Sequence, residues 1–132
     1  MDHPCDDQID RLMALARQAL VTARHVLRSG DLRAAASRAY YACFYAASAL
    51  LEARGITPRK HSGVISLIGL HFGKTREIEP ELASALAHAF KLRQIADYEP
   101  LADLAPEQAE SQIAVAERFI RAAEDWLPAR RA

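Results

Sequence analysis

"AAASRAYYACFYAASALLEA", residues 34–53, shows neither a lone apolar stripe nor the period-two alternation of a strand. Wound at 3.6 residues per turn, its alanines, aromatics and leucines cover nearly every face, and a helix of that kind is buried on several sides. Alanine is the best helix former, and its small side chain lets neighbouring axes come close. The stretch therefore predicts a long central helix, about residues 32–54, wrapped by others.

The flanking sequence supplies those others. Ile9, Leu12, Met13, Ala16, Leu20, Ala23 and Leu27 recur at spacings of three and four, which predicts an amphipathic helix over about 6–28. "SGD" at 29–31 ends it: Gly30 suits a helix stop and Asp31 a cap for the next helix. "GITPRKHS", 55–62, reads as a loop, with Ser62 capping a third helix over about 63–73. Pro80 fits the first turn of a fourth helix, which ends near Tyr98 because the residue before Pro100 is pushed out of helical geometry. A last helix runs from about Pro106 to Leu127. The expectation is one all-α domain, 1–132, an up-and-down helical bundle of about five helices.

Seventeen Lys and Arg balance seventeen Asp and Glu, so any site for nucleic acid must be local rather than a property of the whole surface. The two cysteines suggest no disulfide framework; Cys43, among apolar residues, reads as a small buried hydrophobe. No Cys/His set has metal-ligand spacing, and neither a metal nor a cofactor is expected. The acidic, polar start is unlike a signal peptide, and no apolar run is long enough for a bilayer. A cytoplasmic protein is expected, with no membrane partner.

Three groups of polar residues stand out. On the central helix, Ser37, Tyr41 and Ser48 fall near one stripe with Arg38 beside it; they either line a groove or fill the core with their hydroxyls satisfied nearby. "PRKHS", 58–62, places Lys60, His61 and Ser62 at a helix start, where N–H groups and the helix dipole favour an anion, and Lys74 and Arg76 could join if folding brings them close. A solvated loop is the alternative. In "KLRQIADYEP", 91–100, Arg93 and Asp97 can pair across one helical turn. An aspartate near a helix C-terminus is mildly unfavourable, a small argument that the pair serves something besides helix stability. There is no phosphate loop, nucleophile elbow or H-E-x-x-H.

Residues 37–100 nevertheless resemble the HEPN (higher eukaryotes and prokaryotes nucleotide-binding) domain family, in particular its small stand-alone prokaryotic members. The matching features are Ser37 with Tyr40-Tyr41, "KHSGVISL" at 60–67, "HFGKTREI" at 71–78 and "LRQIADY" at 92–98, in order and at the family's spacing. The resemblance implies a helical bundle, commonly a homodimer, with a role tied to nucleotides or RNA. Many such proteins are paired with a minimal nucleotidyltransferase, some as toxin–antitoxin systems. Catalytic members are metal-independent endoribonucleases whose signature is an arginine followed by a histidine, with four to six residues between them. Arg93 matches that arginine, but Tyr98 stands where the histidine belongs, and no histidine follows His88. A tyrosine hydroxyl titrates near 10 in model peptides and is a poor base at neutral pH. Arg54 and His61 also satisfy the spacing, but in a loop, the wrong place in such a fold.

The leading expectation is an accessory, non-catalytic protein that binds a nucleotide or RNA phosphate through Arg93, Asp97, Tyr98, Tyr41, Lys60, His61 and Ser62, beside a nucleotidyltransferase partner. A second is a ribonuclease toxin in which Arg93 works with Tyr98 or His61. A third is a domain that only dimerises and holds a partner.

Overall fold

The computed structural model describes the backbone of residues 4–58 and 60–131, and the side chains of 6–58, 60 and 63–127. Among these residues the chain forms five α-helices and one π turn: α1 (Pro4–Arg28), α2 (Leu32–Ala53), α3 (His61–Ile68), the π turn (Gly69–Gly73), α4 (Pro80–Tyr98) and α5 (Pro106–Arg131). The fold is an all-α bundle, and α2 is its axis, touching α1, α3, α4 and α5. Ala35, Ala36, Ala39, Ala42, Ala46, Ala47 and Ala49 are all fully buried or nearly so, together with Tyr40, Cys43, Leu50 and Leu51. The all-round apolar pattern at 34–53 thus has its cause in packing on every side. The buried thiol of Cys43 is pushed up to about 12 by its surroundings, so it stays neutral and behaves as a hydrophobe.

Local signals set most helix ends. Gly30 takes φ +91°, and the Asp31 N–H donates to Val26 O while the Gly30 N–H donates to Leu27 O, closing α1. Asp31 then caps α2, its Oδ1 accepting from the Ala34 N–H at 3.0 Å. Pro80 sits at the start of α4, and α4 stops two residues before Pro100.

Two expectations about the third helix need correction. It starts at His61, not after Ser62: Lys60 is its N-cap residue in extended conformation, and the Lys60 carbonyl accepts from the N–H groups of Gly63 and Val64. It also does not continue unbroken to residue 73. From Gly69 the backbone widens, and the Lys74 N–H donates to Gly69 O at 2.9 Å, five residues back. Glycine eases the close packing at the far end of that turn. A Cβ on Gly73 would lie 3.0 Å from the Ala83 Cβ on α4, tighter than ordinary van der Waals contact, so a side chain there would push the turn and α4 apart by a few tenths of an ångström. α5 extends four residues past the expected Leu127. Among the described residues no helix is long and apolar enough to cross a membrane.

Candidate functional site

Packing of α4 against α2 brings together residues more than fifty positions apart. Arg93, with a side chain only 14% exposed, donates from Nη2 to the Tyr41 hydroxyl at 2.9 Å, and its Nε lies 2.8 Å from Asp97 Oδ2. The Nε contact is close, but its geometry falls short of a directed hydrogen bond. It is an ion pair, and the buried Nε–H has no hydrogen-bond partner among the described residues. Ser37 Oγ donates to the same carboxylate oxygen at 3.5 Å, fixing Asp97 from α2. Aromatic faces enclose the guanidinium: its Cζ is 5.4 Å from the Tyr41 ring centroid, 5.4 Å from that of Tyr98 and 6.0 Å from that of Tyr40. The Arg38 guanidinium also lies over the Tyr41 ring, its Cζ 4.7 Å from the centroid.

The electrostatics favour a fixed positive charge. Burial acts to lower the pKa of Arg93, but Tyr41, Asp97 and Tyr98 outweigh it, and the net direction is upward. Tyr40 next to it is fully buried, its hydroxyl has no hydrogen-bond partner among the described residues, and desolvation pushes it up to about 12. It stays protonated. Tyr98 is 68% exposed, so its ring covers Arg93 from the solvent side while its hydroxyl remains in reach of a ligand.

Of the expected site residues, Arg93, Asp97, Tyr98 and Tyr41 form one cluster. Lys60, exposed at the start of α3, makes no hydrogen bond or ion pair with them. The side chains of His61 and Ser62 lie outside the described residues, as does Arg59. His88 is exposed on α4, and among the described residues no group of three His, Cys, Asp or Glu side chains could hold a metal ion.

Residues 9–126 match the HEPN domain family. The chain is a HEPN-domain protein. A UPF0332 protein from Thermotoga maritima is 38% identical over 112 residues, 85% of either chain. A Methanocaldococcus jannaschii protein provisionally named a toxin is 32% identical over 120 residues, 91% of this chain and 82% of its own. A UPF0332 protein from Pyrococcus horikoshii reaches 44% identity over 89 residues, which is 67% of this chain and 61% of that protein.

Two features of this HEPN bundle escape a reading by spacing. Arg33, in the first turn of α2, donates from Nη1 to Ala96 O at 2.8 Å and Ile95 O at 3.4 Å, and from Nη2 to Pro100 O at 3.2 Å and to Ala102 O. Among these, the Ala96 carbonyl is one that the end of α4 leaves without an intrahelical partner, whereas Ile95 O also accepts from the Glu99 N–H. The clamp locks the segment that displays Asp97 and Tyr98. At the other end of α2, Arg54 donates to His71 O at 2.7 Å and to both oxygens of Glu77 at 2.8 Å, with its Cζ 4.6 Å from the Phe72 ring centroid. Hydrogen bonds from Arg54 first, then from Thr75 and Trp126, hold the Glu77 carboxyl below the usual carboxylate range. Arg54 is thus committed to the π turn. The only sequence hint of either feature was an arginine placed within a largely apolar helix.

Proposed function

We propose that this HEPN protein binds the phosphate of an RNA or nucleotide at Arg93 and acts as the non-catalytic member of a pair with a minimal nucleotidyltransferase, in a system of toxin–antitoxin type. The observation that carries the reading is the state of Arg93: anchored by Asp97 and Tyr41, flanked by three tyrosine rings, and with no histidine following it on α4. An anchored guanidinium offers a planar fork of donors suited to phosphate. The residue at the signature position, Tyr98, presents a hydroxyl that donates a hydrogen bond well and takes up a proton poorly at neutral pH. Binding without cleavage follows from that chemistry. The resemblance to the family supports a homodimer as the working form.

Calorimetry with mononucleotides and short single-stranded RNA, on the protein and on Arg93→Ala, tests the site. Binding that Arg93→Ala weakens at least tenfold is expected; no binding, or equal binding by the variant, removes the assignment.

The toxin names of the Methanocaldococcus relatives favour one further reading, a metal-independent endoribonuclease that uses Arg93 with Tyr98 or His61. Nuclease-free protein would then cut single-stranded RNA in the presence of a chelator and leave a cyclic phosphate. Arg93→Ala, but not Arg121→Ala on the distant face of α5, would abolish the cut. RNA left intact after long incubation rules this reading out.

A further inference from the structure

A second concavity lies away from Arg93. It is a groove of about 480 Å³ between the π turn and the N-terminal half of α4, with Gly69, Gly73, Lys74, Arg76, Ser84 and Ala87 among its lining residues. Its wall is built in an unusual way. The widened backbone of 69–73 and the absence of a Cβ at Gly73 set the wall close against α4, and Arg76 stands in left-handed geometry at φ 63°. Local backbone departures of this kind occur often at binding sites.

The acids of the loop are engaged by other partners. Glu77 is taken up by Arg54, Thr75 and Trp126, and Glu79 by Arg118 at 3.1 Å. Lys74 and Arg76 are exposed and have no acid partner among the described residues. One further acid, the exposed Glu81 in the first turn of α4, leaves the groove with a positive margin.

The groove also has a direction. Ser84, Ala87, Lys91, Gln94 and Tyr98 follow each other at spacings of three and four, so they share one face of α4, and Ser84, Lys91, Gln94 and Tyr98 are exposed. At 1.5 Å per residue, the face from Ser84 to Tyr98 is about 21 Å long. It ends at the ring that packs 5.4 Å from the Arg93 guanidinium. Cations that follow a backbone, and an aromatic ring on which a base can stack, are what a single strand needs. A mononucleotide is too short to touch both ends.

We propose that the Lys74–Arg76 groove is a second phosphate-binding station, which holds the backbone of a single-stranded RNA that runs along the Ser84–Tyr98 face of α4 to Arg93. The inference rests on the reading of Arg93 as a phosphate site and adds the ligand's length and path to it.

Fluorescence anisotropy with a labelled RNA octanucleotide and trinucleotide, over a series of salt concentrations, separates the two. In Lys74→Ala/Arg76→Asn, octanucleotide affinity should fall at least tenfold while trinucleotide affinity stays within about twofold. The log–log salt slope for the octanucleotide should flatten by about 1.4, two phosphates at 0.7 each. Asparagine tolerates left-handed geometry, so this variant keeps the loop, and an unchanged circular-dichroism melt verifies it. Arg93→Ala should weaken both ligands. An unchanged octanucleotide affinity and slope in the double variant overturns the groove and leaves the Arg93 reading standing. Equal weakening of both ligands also overturns it, because the groove would then not sense length. Wild-type protein that binds neither oligonucleotide overturns both readings. RNA binding kept in the double variant while an acidic partner protein is lost assigns the groove to that protein and overturns the RNA path.

Discussion

Replacing Arg33 by methionine should uncouple the end of α4 from α2. Methionine keeps most of the apolar stem and deletes the donors. The guanidinium serves four carbonyls, of which Ala96 O at 2.8 Å and Ala102 O are the closest. A hydrogen bond from a charged group contributes about 1.5–3 kcal/mol. The site is only partly buried and water can re-solvate some of the freed carbonyls, so two bonds at the low end give a loss of about 2–3 kcal/mol. For 132 residues the unfolding entropy is about 0.28 kcal/mol/K, which converts the loss into a Tm lowered by about 7–11 °C. Far-ultraviolet circular dichroism follows the melt. Amide exchange of residues 97–104 should accelerate more than that of α1, because the loss is local. Arg33→Lys should recover less than half of the difference, since a single ammonium cannot span carbonyls on both sides of the helix end. A methionine variant melting within about 2 °C of wild type, with 97–104 still protected, would refute the clamp.

Other consequences follow from the same contacts. Tyr40→Phe removes a buried hydroxyl that has no partner, so it should leave Tm unchanged or raise it, with a gain of up to about 1–3 kcal/mol in chemical denaturation; a clear loss would mean that the hydroxyl is satisfied. Alkaline stability should fall from about pH 9 upward. Cys43 has its pKa raised from 9.0 to about 12, so its contribution is complete below the unfolded value and is lost as pH rises through the folded one. The slope for one such group is about 1.4 kcal/mol per pH unit, and Cys43→Ala should flatten the curve between pH 9 and 10 in urea titrations. Tyr40 adds to the fall only above pH 10. Glu77 acts at the other limb: its carboxyl is held low by Arg54, so its contribution is present above the usual carboxylate pKa and lost as pH falls through the lower folded value. Glu77→Gln should therefore melt lower than wild type at pH 7 and converge with it in acid.

What could be read in the sequence divides by distance along the chain. Helix ends were legible because Gly30, Asp31, Pro80 and Pro100 act on their own neighbours. The central position of α2 was legible because burial on every side leaves no polar stripe. The π turn was not, since one extra residue in the largely apolar segment 63–73 barely disturbs its periodicity, and the close approach of Gly73 to Ala83 is a tertiary fact. Spacing alone made Arg93 and Asp97 an ordinary pair one turn apart, and the resemblance singled out Arg93 and Tyr98. Neither route showed that Tyr41, 52 positions earlier, would accept from Arg93. The carbonyl partners of Arg33 lie still farther off, and a carbonyl leaves no mark in a sequence. Lys60 shows the same limit: a basic residue at a helix start is legible, but its lack of direct contact with the Arg93 cluster is a tertiary fact.

Arginine side-chain NMR offers the most direct test of the central claim. In a spectrum of Nε–Hε correlations, with the Arg93 peak assigned from Arg93→Lys, a short single-stranded RNA is titrated into the protein. The Arg93 correlation should shift and saturate, because a phosphate bound by the guanidinium changes the field at its Nε–H beside Asp97. A titration in which Arg93 stays fixed while other arginines shift would contradict the account.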